Sequence, residues 1–190
     1  LSETQHDKTK HICKITRIEE DKYVWIDKFT ARNLELIYSP NENAKTLIDI
    51  VDKTTTPMGA RQLKRWIMLP LKEISLIENR LNIVDFLIEN SDFTNSLKEH
   101  IRLIGDLERL ISKVAVGKIN PREVLHLKRS LVAVAEIKIL CSTTKNDALK
   151  SIGEQLNACQ IICDRIEREI SEDAPVLVSK GNVIAEGVNK

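Results

Sequence analysis

At Thr56-Pro57 and at Asn120-Pro121 a residue able to cap a helix stands directly before a proline, with helix-forming residues after it. Proline at the first helical position loses no hydrogen bond, because that N–H has no intrahelical partner, and its ring fixes φ where a helix needs it. Two helix starts are thereby set. The first helix is expected to run to about Met68, where Pro70 stops it. The second carries the acidic Glu123 in its first turn and is expected to reach about Cys141, roughly 33 Å at 1.5 Å per residue, with Val124, Leu127, Leu131 and Val134 facing inward.

Apolar spacing fills in the rest. Ser75 and Glu78 have capping-box spacing, and Ile74, Ile77, Leu81, Val84 and Ile88 would form the buried face of the helix they open. Asp92-Phe93 begins a helical stretch with Leu97, Ile101 and Ile104, and Gly105-Asp106 restarts the chain into Leu107, Leu110, Ile111 and Val114. Leu47, Ile48, Ile50 and Val51 suggest a short helix after the turn-forming Ser39 to Asn43. Leu149, Ile152, Leu156, Cys159, Cys163, Ile166 and Ile170 step by three and four, a heptad-like seam that predicts one helix over 149–170, antiparallel to that over 120–141. Two hairpins are expected outside the helices. One joins Ile12, Ile15 and Ile18 to Tyr23-Val24-Trp25-Ile26, and the other joins Val176-Leu177-Val178 to Val183-Ile184-Ala185 across Gly181-Asn182. With 3 Phe, 2 Trp, 2 Tyr, 6 Gly and 5 Pro in 190 residues, the chain is poor material for a many-stranded sandwich but normal for packed helices. The expected fold is mainly α: a multi-helix, bundle-like core with a short β-hairpin-like N-terminal segment and an extended C-terminal one.

Charge and motif content exclude several function classes. Lys and Arg number 29 against 28 Asp and Glu, so no polyanion-coating tail exists, and no apolar run is long enough for a membrane span. Leu1 and the polar residues after it suggest a piece of a longer protein without a secretory leader, and four cysteines lacking C-x-x-C spacing suit a reducing cytoplasm. Cys159 and Cys163 lie on the apolar seam and read as core thiols. His6, His11 and Cys13 lack a fourth ligand in register, so no metal is expected, and His100 and His126 read as surface histidines. None of the six glycines begins a phosphate-binding loop, so no nucleotide site and no catalytic residue is expected. Two basic clusters, Arg61, Lys64 and Arg65 on one helix face and Lys113, Lys118, Arg122, Lys128 and Arg129 around the Gly117 to Pro121 turn, are the candidates for nucleic-acid contact. Near-zero net charge favours a solvated or acid-paired face for both.

Several blocks together resemble one family. Arg32-Asn33-Leu34-Glu35-Leu36, Thr56-Pro57-Met58-Gly59-Ala60-Arg61-Gln62-Leu63-Lys64-Arg65-Trp66 closing at Leu69-Pro70-Leu71, and Gly105-Asp106-Leu107-Glu108-Arg109-Leu110 are similar to the core domain of the MutS family of DNA mismatch-repair proteins. Asn120-Pro121-Arg122-Glu123 and the stretch from Pro175 to Asn189 extend the resemblance, in order, over essentially the whole chain. It implies residues 1–30 as a connector exit and linker, and 31–190 as the first segment of a helical core that ends before the lever helices. It also implies a scaffold that couples DNA clamping to an ATPase. The connector, clamp and ATPase domains would be its partners, with DNA reached through the parent, a homodimer, and ATP and magnesium bound only in the absent ATPase domain. Gly59 would then permit close helix approach, Trp66 would anchor the core, and Arg61 and Arg109 would bond carbonyls or carboxylates at helix junctions. Surface left bare by the missing segments predicts self-association. An autonomous helical nucleic-acid-binding module, or the core of a MutS-like paralogue, are the alternatives.

Overall fold

The structure is a computed structural model that describes residues 22–41 and 43–188. Helices dominate: α1 (Lys28–Asn33), α2 (Leu47–Val51), α3 (Pro57–Met68), α4 (Ile74–Glu89), α5 (Ser91–Leu103), α6 (Leu107–Ala115), α7 (Pro121–Thr143), α8 (Asp147–Gln155) and α9 (Gln160–Glu169). Both proline starts are in place. Thr56 Oγ1 accepts from the Gly59 N–H, and Asn120 and Glu123 form a reciprocal capping box.

The centre of the molecule is α7, against which α5, α6, α8 and α9 pack. Its inward face is Leu127, Ser130, Val134, Ile137 and Cys141, all buried, with Leu125 and Ala133 beside them. Leu127 and Val134 were expected there, whereas Val124 and Leu131 are half-buried at the margin. Leu125 joins Ile166 of α9 and Ala174 in a small cluster flanked by Val124 and Ile170. Gly153 lets α8 approach closely, since a β-carbon there would lie 2.7 Å from Cβ of Cys141.

Several expectations are corrected, and that of the N-terminal hairpin falls partly outside the described residues. The helix over 149–170 is two helices: the chain breaks at Leu156 to Cys159, where Cys159 takes φ +49° and its N–H is held by the Asn157 side chain. Cys163 is buried, but Cys159 is only partly covered. The C-terminal hairpin does not form. Residues 183–185 instead pair with the end of α9, through the Ile170 and Ile184 bridge and the Ser171 N–H to Val183 carbonyl bond, while Val178–Lys180 is a turn of 3-10 helix. The visible half of the N-terminal hairpin, Tyr23 and Val24, pairs with Pro70 to Lys72, and Ile12 to Ile18 fall outside the described residues. The α4 start has no capping box, because Ser75 Oγ donates to Glu73 instead, and its expected buried face is exposed. The half-buried residues of α4 are Leu76, Arg80, Ile83, Phe86 and Leu87, on a different side, with Phe86 edge-on to Phe93 of α5.

Unpartnered apolar surface is general. The accessible surface is 14,662 Å², against about 9,200 Å² for a folded chain of this mass. Even with the undescribed residues counted as fully exposed, at about 1.45 Å² per dalton, an excess on the order of 2,000 Å² remains.

Candidate functional site

A polar constellation around the start of α6 draws side chains from α3 and α7. α6 begins after Gly105-Asp106, and Asp106 caps it by accepting from the Arg109 N–H. The same carboxylate receives Arg61 of α3 in a two-pronged pair, Nη2 to Oδ1 at 2.6 Å and Nη1 to Oδ2 at 3.0 Å. Glu108 takes the remaining edge of the guanidinium, Oε2 lying 2.8 Å from Nε. The flat fork of arginine suits this arrangement and the point charge of lysine does not. Hydrogen bonds from Arg61 hold the Asp106 carboxyl below its usual range, and the two carboxylates push the Arg61 pKa further up.

Directly before Asp106, the Gly105 N–H donates to Ser130 Oγ at 3.0 Å, and Ser130 in turn donates to the His126 carbonyl at 2.9 Å. Ser130 is fully buried. The His126 ring lies against Gly105 so closely that a β-carbon there would fall 2.1 Å from its Cε1. Two turns further along α6, Lys113 pairs with Glu123, whose carboxyl is lowered first by that lysine and then by the Asn120 N–H. Asp106, Arg109, Lys113, Glu123 and His126 together line a cleft of about 290 Å³.

The residues singled out from sequence are thus distributed unevenly. Arg61, Gly105, Asp106 and Glu108 are brought together, with Leu107 half-buried beside them. Arg109 borders the cleft and acts on Asp106 and Glu123 through charge. Gly59 does not mediate helix approach; the neighbours of a β-carbon there would be Thr54 and Thr56 of the preceding turn. Trp66 is not a buried anchor. It is 42% exposed and lies under the Arg80 guanidinium, 3.9 Å from the ring centroid, so it joins α3 to α4 by a cation–π contact. Leu63 is half-buried, Pro70 accepts from the Val24 N–H, and Pro121 is buried at the start of α7. Arg32, Asn33 and Leu34 are exposed at the end of α1, and the neighbouring Glu35 accepts from Ser39 Oγ.

The two basic clusters fare differently from a phosphate-binding surface. Arg61 and Lys113 are neutralised, and Lys128 lies 3.8 Å from Glu167. Arg122 donates to the Ala174 carbonyl and, with Arg129, faces Glu172 and Asp173 across a cleft of about 390 Å³. Lys118 and Arg65 are exposed, and Lys64 lines a separate apolar cleft near Trp25. Sequence reasoning missed Ser130, although a small polar residue in register with Leu127, Val134, Ile137 and Cys141 is the signal by which it was findable. No group of three or more metal-ligating side chains occurs among the described residues; His6, His11 and Cys13 fall outside them.

Comparison with known proteins gives a consistent picture. The family model described as MutS domain III matches residues 29–186. The chain is 54% identical over 187 residues to the DNA mismatch repair protein MutS of Christiangramia forsetii, covering 98% of this chain and 22% of that one. It is 50% identical to MutS of Flavobacterium johnsoniae and 52% to MutS of Bacteroides thetaiotaomicron, in each case over the whole chain and 22% of the relative. The chain therefore spans about a fifth of the length of the curated relatives it matches.

Proposed function

The chain belongs to the MutS domain III family, and we propose that it is the helical relay of a DNA mismatch-repair protein, coupling the binding and clamping of mismatched DNA to an ATPase elsewhere in the polypeptide. The observation that supports this most is the junction at Gly105-Asp106. One carboxylate both caps α6 and holds α3, and the preceding residue is fastened to a buried serine of α7, so displacement of α3 is passed through α6 to the central helix. The two-pronged Arg61 contact ties α3 to α6, and α6 packs on α7, which gives a shift of α3 a route to the central helix. On this reading the segment is not itself an enzyme and holds no cofactor. ATP and magnesium belong to the remaining polypeptide, connector, clamp and ATPase domains are its partners, the parent is a homodimer, and DNA is reached through the parent. The free thiols Cys141, Cys159 and Cys163 suit a cytoplasmic location, and no helix among the described residues is long and apolar enough to cross a membrane.

An autonomous nucleic-acid-binding module is disfavoured by the neutralisation of Arg61, Lys113 and Lys128. The test is titration of the 190-residue chain with paired and mismatched duplexes at physiological salt. The relay reading expects no preference, and weak general binding is compatible with it. A tenfold preference for the mismatch, about 1.4 kcal/mol, would overturn it.

A further inference from the structure

An apolar cleft of about 710 Å³ lies away from the Gly105-Asp106 junction, between α1, α3 and the extended residues that flank α1. Ala31, Ile37, Met68 and Leu69 supply apolar lining, and Trp25 and Tyr38 line it while remaining 68% and 63% exposed. Three cations border it from both helices. Lys28 and Arg32 are one turn apart on α1, and Lys64 stands one turn before Met68 on α3. None of the three is ion-paired among the described residues. Among the described residues no carboxylate lines the cleft: Asp27 is committed to capping α1, and Glu35 to Ser39.

An apolar trough with unpaired positive charge on both sides is complementary to an apolar helix stripe bordered by carboxylates. Water or a neutral apolar surface would leave either the aromatics or the cations unmatched. The relatives are several times longer than this chain, which covers 22% of them, so most of the polypeptide that could supply such a segment lies outside these residues. We propose that this cleft is the docking groove for an acidic amphipathic segment contributed in cis by that remaining polypeptide. The proposal rests on family membership and the groove, and is independent of the relay reading.

The test uses the chain carrying Trp66→Phe, so that Trp25 is the sole tryptophan and reports on the groove. The probes are a synthetic helical peptide with leucines at helical spacing flanked by glutamates, and its lysine counterpart. At low salt the glutamate peptide is expected to shift Trp25 emission to the blue and to bind at least tenfold more tightly than the lysine peptide. Arg32→Glu with Lys64→Glu, both on exposed residues, is expected to weaken it tenfold or more and to reverse the preference. Equal affinity for the two peptides, or no binding, would overturn the proposal. So would tighter binding of oligothymidine at the same signal, or a chain dimer abolished by the two charge reversals, which would assign the groove to nucleic acid or to a second copy. In the full-length protein the groove should be filled and the peptide excluded; undiminished binding there would overturn the assignment to a segment in cis.

Discussion

Asp106 carries two tasks that pull in the same direction, since the negative charge that caps α6 is the one that holds Arg61. A carboxyl whose folded pKa lies below its unfolded value stabilises the fold fully above the unfolded value, and that contribution is lost as pH falls through the folded one. The window for Asp106 therefore opens at 3.8 and extends downward, and that for Glu123 at 4.5. Arg61→Gln is expected to move the Asp106 titration back up towards 3.8, as read by carboxyl NMR. An unchanged titration would mean that the guanidinium contact does not persist in solution. Gly105→Ala sets a β-carbon against the His126 ring and is expected to cost about 1–3 kcal/mol by overpacking, measured by urea denaturation. For Trp66→Ala a cost of about 1–2 kcal/mol is expected, below the roughly 3–5 kcal/mol of a fully buried tryptophan, because nearly half of Trp66 already faces water.

At the scale of elements, local chemistry was legible and partnership was not. The Thr56-Pro57 and Asn120-Pro121 starts depend on groups within four residues of each other, so sequence alone specified them. The seam over 149–170 has perfect spacing yet is broken, because its periodicity continues on both sides of a turn set by Asn157 and the left-handed Cys159. Likewise, Val183 to Ala185 has hairpin chemistry but finds its backbone partners at the end of α9, a tertiary choice with no local signature. The site was half readable: Arg61, Asp106 and Glu108 were visible as motif residues, but their meeting and the role of Ser130 depend on helix packing. Left-handed backbone costs a non-glycine residue about 1–2 kcal/mol, so Cys159→Gly is expected to raise the denaturation midpoint slightly. A lowered midpoint would show that the thiol's packing outweighs the strain.

Across the whole molecule, the surface excess and the exposed stripe Ile74, Ile77, Leu81, Val84 and Ile88 on α4 describe helices shaped to be covered. Concentration-dependent self-association of the isolated chain is the expected consequence, and sedimentation over a wide concentration range checks it. The Gly105-Asp106 junction nonetheless joins three helices without help from other segments, which is why the relay reading is centred there. The most direct measurement is the rate at which ATP releases a mismatched duplex from the full-length protein. With Arg61→Gln that rate should fall tenfold or more, while duplex affinity without nucleotide and ATP hydrolysis without DNA stay within about twofold, and Arg61→Lys should fall between. Release at the native rate from the Arg61→Gln protein would contradict the account.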